Sequence, residues 1–573
     1  MINRFKKALS ILNSNERNLL IILFFLTILN LCLEVLSLSM IIPLINFITE
    51  TNSDNYFFSI IKKYFEIELI KSEQLILYAV SVFSLIFLFK SLFVQFFYWF
   101  KGRFIYDLIS NLSSKIFDIY LNQNINFFYQ NNSSELIRNV TSETERFSIG
   151  FINHSLEFLI DLMIIVGICI VLFVYEPAGF LSIFIFLGST SSLLFILSRK
   201  YVFHLGKKRQ EAESKRLKNL NHGFMLFKEI KLLFIQKFFV ELYSKQVKKF
   251  TTVAFKEMLI GRSPRIWIEF LAVLGLSIFL VILTIKNKST MEIISISSLY
   301  AVATFRLIPS FNKVITSFMQ IRYNSPVCDV VYNQINLGKE EKKKYLEINY
   351  SIEFKNLFYK YKNSKNFILE NVNLKIKKSD CIGIIGKTGT GKSTLADIVM
   401  GFKYPQKGNI YVDGIKLNEN ESVLKNFCYV SQNLDILDDT ILNNITLGKY
   451  DYSDHDKKRL NESLRLSESL DFVNQLPEKI YSVIGERGSK VSGGQKQRLI
   501  IARAIYHNRN FLVFDEATSA LDYETESKLF KSIEKMSNKG ITIIIISHRE
   551  QNLKLCNQIF KIENKNLIKV NNG

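Results

Sequence analysis

The stretch Gly386-Lys387-Thr388-Gly389-Thr390-Gly391-Lys392-Ser393-Thr394 sets glycines, a lysine and hydroxyls at a spacing that suits phosphate. Glycines let successive backbone N–H groups turn toward one point, and a following helix adds partial positive charge from its N-terminus. The spacing fits the phosphate-binding-loop pattern without a mismatch. The context fits as well: Cys381-Ile382-Gly383-Ile384-Ile385 reads as a short buried strand, and residues 395–400 continue as a helix. Lys392 should reach the β- and γ-phosphates of a nucleotide, and Ser393 should ligate Mg²⁺. A second apolar run, Phe511-Leu512-Val513-Phe514, ends in Asp515-Glu516. Asp515 suits the Mg²⁺ shell, and Glu516 is placed to polarise an attacking water. Taken alone, that pair reads equally well as two acids at an exposed strand end.

Further motifs follow in an order that a known family shares. Val491-Ser492-Gly493-Gly494-Gln495 resembles the signature of ATP-binding-cassette proteins, in which Leu is commoner than Val at the first place. Ser519-Ala520-Leu521-Asp522 follows the acid pair as that family's D-loop does. His548 follows the strand 541–546, where the family has its switch histidine, and Gln432 follows Cys428-Tyr429-Val430-Ser431 as its Q-loop glutamine does. Tyr361 sits where the family has an aromatic that stacks on adenine, and Glu486-Arg487-Gly488 resembles a short loop specific to exporters.

The resemblance implies roles. Glu516, His548 and Gln432 would serve hydrolysis. Tyr361, the loop 386–394, Gln432 and Asp515 would hold ATP, with Mg²⁺ on Ser393, Gln432 and Asp515. The chain's own loop already encloses one phosphate. Ser492, Gly493, Gly494, Gln495 and Asp522 would therefore close on the nucleotide of a second copy. With one membrane domain and one nucleotide domain, the chain is expected to be a half-transporter working as a homodimer.

The composition of the 573 residues, 48% hydrophobic and 22% charged, excludes a disordered or low-complexity chain. Six scattered cysteines without a CxxC pair support neither a disulfide scaffold nor a zinc ribbon, and seven prolines exclude a proline-rich linker architecture. The apolar residues are concentrated early. Six segments, roughly 19–45, 75–100, 151–174, 180–197, 266–285 and 293–315, are long enough to cross a bilayer, which takes about 20 residues. The first follows Arg4, Lys6, Lys7 and Arg17 but is too long for a signal peptide, and Met40-Ile41-Ile42-Pro43 continues it without a small-residue cleavage site. It reads as a retained membrane helix.

The N-terminal tail and the stretch 199–265 are basic, whereas 175–179 and 286–292 are short or acid-leaning. That bias places the N-terminus and the nucleotide domain in the cytoplasm. It also accounts for much of the net charge of +21, so nucleic acid is not implied as a partner. Two long connections with helical apolar spacing should extend the spans into the cytoplasm, with tips near 126–132 and 222–228. The outer connection 48–74 fits an amphipathic helix on the outer membrane surface; a loop packed on the span tops fits equally well. The expected architecture is a six-helix transmembrane domain (1–335), a charged linker (336–350) and an α/β P-loop nucleotide-binding domain (351–573).

Charges inside spans are costly and are functional candidates by default. Lys90, Arg265, Arg306 and Lys313 are four such cations, with Glu34 and Glu269 the obvious acids nearby. Internal pairing of Arg265 with Glu269, and of Lys90 or Arg306 with Glu34, competes with a cationic cavity and is not expected to absorb all four cations. Ser263-Pro264-Arg265-Ile266-Trp267-Ile268-Glu269, and the run from Phe305-Arg306-Leu307 through Phe311-Asn312-Lys313, resemble segments of bacterial lipid-linked oligosaccharide flippases. That resemblance implies an ATP-driven flippase in the bacterial inner membrane. Its substrate would be an anionic polyprenyl-diphosphate-linked oligosaccharide, carried from the cytoplasmic to the periplasmic leaflet for glycosylation of protein or surface glycan. An exporter of lipid A or another amphiphile shares the same features. An ATP-gated channel or regulator is a rival of another class, disfavoured by the intact Glu516 and His548. A peptide exporter is disfavoured because no protease-like extension precedes the first span.

Overall fold

The computed structural model describes residues 2–39, 72–175, 177–285, 290–338, 343–361, 364–517, 521–548 and 553–570. The outer segment 48–74 thus lies almost wholly outside the described residues. The chain divides into two compact units, one of Met1–Gln123 with Phe128–Gly338 and one of Asn124–Phe127 with Lys339–Gly573.

The first unit is helical. A short helix α1 (Ile2–Ile11) precedes α2 (Ser14–Ser39) and the 50-residue α3 (Ser72–Leu121). At 1.5 Å per residue, α3 is about 75 Å long, more than twice a bilayer core of about 30 Å. Two six-residue helices follow, α4 (Ile125–Gln130), whose first three residues belong to the second unit, and α5 (Ser133–Arg138). The next turns are π-helical over Asn139–Glu143 and Arg146–Asn153, before α6 (His154–Tyr175). The remaining long helices are α7 (Pro177–Met225), α9 (Gln236–Ile285) and α10 (Thr290–Ile335), with the short α8 (Phe227–Leu232) between the first two. The expected tip near 222–228 contains the break between α7 and α8, whereas the one near 126–132 falls on α4 and the turn into α5.

The described parts of the apolar runs are helical, residues 40–45 of the first lying outside the described residues. Among the described residues Ser14–Ser37, Val80–Leu121 and Ser133–Ile170 are long and apolar enough to cross a membrane.

Packing in this unit is tight where α7 meets α10. A Cβ placed on Gly206 would collide with the backbone oxygen of Tyr323. Nearby, Arg209 is buried with Glu213 and Glu143 at 3.7 and 4.0 Å. On α1, Arg4 and Lys7 both reach Asp329 of α10, at 2.9 and 2.7 Å.

The second unit is built on a six-stranded sheet of order β12-β11-β4-β10-β9-β8. Its strands are β4 (Cys381–Ile385), β8 (Phe427–Val430), β9 (Phe511–Asp515), β10 (Thr542–Ile546), β11 (Gln558–Glu563) and β12 (Asn566–Val570). All neighbours are parallel except β12, which pairs antiparallel with β11. Every residue of β4, β9 and β10 is buried. Strands covered on both faces read as continuous apolar runs, which is why these were visible in the sequence. An antiparallel sheet, order β3-β2-β5-β6, packs into the same core, its strands being β2 (Ser351–Tyr359), β3 (Leu369–Lys377), β5 (Lys407–Val412) and β6 (Ile415–Lys416); β2 mostly alternates buried and partly exposed positions. Lys344–Tyr345 pairs with Glu421–Ser422, so part of the expected linker is a strand of this unit.

Two measurements test the packing. Gly206→Ala should lower the melting temperature or prevent assembly, because the obstacle is backbone. Gly102→Ala, with nothing within 4 Å of its Cβ, should be neutral or stabilising by about 0.5–1 kcal/mol. Size-exclusion profiles and melts in detergent would read both.

The second test concerns His507. Burial, reinforced by Lys449, Arg509, Arg459 and Arg503, holds its imidazole down at about 4. The folded chain resists a proton that the unfolded chain accepts near 6.5. This contribution to stability is full above that value and declines as the pH falls toward 4. His507→Gln should flatten that part of the melting-temperature profile.

Candidate functional site

The parallel sheet brings the candidate residues together at the C-terminal ends of its strands, where ligands bind in open α/β sheets. The phosphate-binding loop follows β4 and leads into α11 (Lys392–Val399). Gly391 caps that helix at φ 102°, and a Cβ there would sit 2.8 Å from Ile368 Cγ2, so only glycine fits. The Lys392 ammonium is buried and donates to the carbonyls of Gly386 and Lys387 at 2.9 and 3.2 Å. Burial holds it below the usual lysine range, against the opposing pull of Glu516 and Asp515.

Ile546 at the end of β10 pairs with Ile384 of β4 on one side and with Asp515 of β9 on the other. His548 therefore emerges between the loop and the acid pair. Its Nε2 lies 2.6 Å from Glu516 Oε1 and 3.2 Å from Lys392 Nζ. The shorter contact fits an Nε2–H donating to the carboxylate. The neighbouring strand β8 ends at Val430, opposite Phe514, so Gln432 emerges beside Glu516 and donates Nε2 to its Oε2 at 2.7 Å. Glu516 is held at φ 52°, and its backbone N–H donates to Ile546 O at 3.0 Å. One carboxylate is thus gripped from three strand ends.

Asp515 is buried and accepts from the Tyr429 hydroxyl at 3.0 Å, with the Ser393 hydroxyl near enough to lower its carboxyl. Burial lifts its carboxyl above the ordinary range, while Ser393 and Tyr429 pull it back. A carboxylate and a hydroxyl side by side form a hard-oxygen donor pair, which fits Mg²⁺. Tyr361 is tied to α11 through its hydroxyl, 3.0 Å from Thr394 Oγ1, and Lys403 lies 4.8 Å over its ring.

The signature residues stand at the start of α15, the helix Gly493–Tyr506; between α11 and it lie α12 (Ile441–Thr446), α13 (Asp454–Leu466) and α14 (Leu470–Gln475). Ser492 and Gln495 form a reciprocal capping box: Ser492 Oγ accepts from the Gln495 N–H at 3.2 Å, and Gln495 Oε1 accepts from the Ser492 N–H at 2.9 Å. Gln495 thereby shapes the helix start rather than pointing freely outward. Ser492 and Gly493 are exposed. Asp522 caps the next helix, α16 (Tyr523–Asn538), through the Thr525 N–H, which holds its carboxyl below the usual range. Ser519 and Ala520 lie outside the described residues.

Two matches decide the family. The model of the ABC transporter transmembrane region matches residues 20–308, about half of the chain, and the ABC transporter model matches 369–519. The chain belongs to the ABC transporter family.

Relatives of this ABC transporter point the same way. An ATP-dependent lipid A-core flippase of Wigglesworthia glossinidia brevipalpis is 26% identical over 83% of this chain and 81% of its own length. The alpha-hemolysin translocation ATP-binding protein HlyB of Escherichia coli O157:H7 is 41% identical over 38% of this chain, and the match spans 31% of that protein's length. A solved bacterial Atm1-family ABC exporter with ATP bound shares the fold, with a TM-score of 0.79 over 97% of this chain and 95% of the other at 18% identity.

Two of the four candidate membrane-region cations are paired with carboxylates. Lys90 Nζ lies 2.5 Å from Glu34 Oε2 and 3.0 Å from the Ser37 hydroxyl. Arg265 bonds Glu269 at 2.8 Å on an exposed helix face. Lys313 stands exposed on α10. The Arg306 side chain lies outside the described residues. The expectation of two acids nearby is thus corrected: α6 carries Glu157 and Asp161 one helical turn apart, and Glu157 pairs with Lys101 at 3.0 Å.

Two further residues lacked a sequence signal. Tyr429 looked like part of an apolar strand. Arg503 donates to Asn444 O at 2.7 Å and Asp435 O at 3.1 Å, tying α15 to the segment that follows Gln432.

Tyr429→Phe should weaken the Mg²⁺ dependence of ATPase activity by roughly tenfold, because a hydrogen bond to a charged group is lost. Without that donor the Asp515 carboxyl rises further, so the acid limb of the pH profile should move to higher pH. A Mg²⁺ titration of the full transporter at several pH values would check both.

Proposed function

We propose that this transporter is an ATP-driven flippase that works as a homodimer in a bacterial inner membrane. Its substrate would be a polyprenyl-diphosphate-linked oligosaccharide, moved from the cytoplasmic to the periplasmic leaflet. The grip of His548, Gln432 and Lys392 around the Glu516 carboxylate supports hydrolysis rather than mere nucleotide sensing. In this scheme the loop N–H groups and Lys392 bind the phosphates, and Lys392 exchanges its loop carbonyls for them. Glu516 accepts a hydrogen bond from the attacking water, while Gln432 and His548 fix the carboxylate's direction. Ser393 and Asp515 would hold Mg²⁺, which when bound offsets phosphate charge. Ser492 and the exposed start of α15 offer N–H groups and a helix N-terminus to the nucleotide of the second copy. Nucleotide-bound closure then shifts the population of the membrane domains from one access state to the other.

The lysines and arginines of the membrane region favour a phosphate-bearing headgroup. A second reading, a flippase for lipid A-type glycolipids, is favoured by the length of the match to the Wigglesworthia protein.

Proteoliposomes carrying a fluorescent undecaprenyl-diphosphate sugar, or fluorescent lipid A, separate the two readings. The first predicts ATP-dependent translocation of the diphosphate-linked sugar. Arg306→Ala and Lys313→Ala should slow it, and Glu516→Gln should abolish it, with ATP hydrolysis falling by about a hundredfold or more and ATP binding retained. Movement of lipid A alone would establish the second reading. Unchanged hydrolysis in Glu516→Gln would overturn the catalytic assignment.

A further inference from the structure

The end of the parallel sheet opposite the nucleotide site opens into a cleft of about 740 Å³. It lies where the chain enters β9 and β10, at Asn510 and Ile541, and α13 with the end of α16 supplies much of its wall. Its lining divides by chemistry. Leu466, Ile505 and Ile541 are partly buried apolar side chains that pack on the sheet core and reach the cleft. Around them stand the cations Lys378, Lys458, Arg459, Arg509 and Lys539, with His455 beside them. Among the described residues Glu462 is the one carboxylate of the lining, and it takes Lys539 at 3.2 Å.

Arg459 is held by Asp456 at 2.7 Å and lies 4.3 Å over the Tyr506 ring, yet its buried Nε has no hydrogen-bond partner. Among the described residues Lys378, Lys458 and Arg509 have no ion-pair partner, and Arg509 is half-buried. A cleft with low-dielectric walls and charges of one sign concentrates its field and draws in counter-ions. The neighbouring His507 senses that field: after burial, Lys449, Arg509, Arg459 and Arg503 hold its imidazole down.

Such a lining selects a ligand by class. Phosphate accepts several N–H donors at once, and a guanidinium offers it two in parallel. The apolar floor suits a flat ring, and the exposed side-chain amides of Asn508 and Asn510 both donate and accept at a ring's edge. A bare anion would leave the floor wet, and an uncharged ring would leave the cations unanswered. The volume lies within the range of small-molecule sites, roughly 300–1,000 Å³.

We propose that this cleft binds a small molecule that joins a phosphate to a flat, hydrogen-bonding ring, as a nucleoside monophosphate does. The site is separate from the loop 386–394, which follows the far end of β4, and it is independent of the transported substrate. Lys378, Lys458 and Arg509 take the phosphate, and the apolar floor takes the ring.

Equilibrium dialysis of radiolabelled uridine and adenosine monophosphates against the full transporter in nanodiscs tests this. Saturable binding of at least one of them, at one site per chain, is expected, and Lys392→Ala should retain it. Lys458→Gln and Arg509→Gln should each weaken it roughly tenfold, with ATP hydrolysis at saturating ATP unchanged. The free nucleoside and inorganic phosphate should each compete at least roughly tenfold more weakly than the monophosphate. If Arg509→Gln does not assemble, Lys378→Gln takes its place. The proposal falls if neither monophosphate binds saturably, or if binding is lost in Lys392→Ala. It falls equally if both cleft variants bind as the wild type does, or if nucleoside or phosphate alone competes as well as the intact probe.

Discussion

The geometry of the nucleotide unit depends on β10 lying between β4 and β9. A strand that pairs in parallel on both sides fixes the heights of both neighbours, and here Ile546 aligns Ile384 with Asp515. The loop after β4, the acids after β9 and the histidine after β10 must then emerge at one level. The carboxylate of Glu516 settles where these chain ends converge, with β8 adding Gln432 from the far side. No single contact in this group is strong on its own. The hydrogen-bond ladder gives the precision, because a shift of one residue would turn each side chain to the opposite face.

The helical unit solves a different problem. Its polar groups sit among apolar helices, where an unpaired charge is expensive. The solution is pairwise: lysine against carboxylate on a neighbouring helix, and arginine within reach of two glutamates. The helical unit thus carries its ions in balanced sets, while the nucleotide unit concentrates carboxylates beside one lysine and one histidine. The two distributions suit a part that handles a transient guest and a part that repeatedly takes up a polyanion.

Much of this was legible in the residues, for identifiable reasons. The strands β4, β9 and β10 are uninterrupted apolar runs, and motif residues sit directly at their ends, so strand, loop and role could be read together. The long connections showed as helical apolar spacing, with tips expected near 126–132 and 222–228. Two features were hidden, and a third only in part. Tyr429 lies in an apolar strand, and nothing local says that its hydroxyl reaches Asp515. Arg503 sits on a helix where arginine is usually solvated, and its partners lie about 60 residues away. Glu157 and Asp161 were open to detection, since their i, i+4 spacing inside an apolar run puts two acids on one face, but the lysine that pairs with Glu157 comes from a distant helix. Local chemistry is written in sequence neighbours; ion pairing between helices is written only in the fold.

The meeting of Gly206 with the main chain at Tyr323 has a mechanical consequence. Where two helices touch backbone to backbone, no rotamer can yield, so the contact behaves as a fulcrum. From Gly206 the α7 helix runs on to Met225, an arm of about 28 Å at 1.5 Å per residue. A swing of a few degrees at that far end is stiffly returned to the stretch on the other side of the fulcrum, and a single added methyl group at Gly206 would unseat the beam.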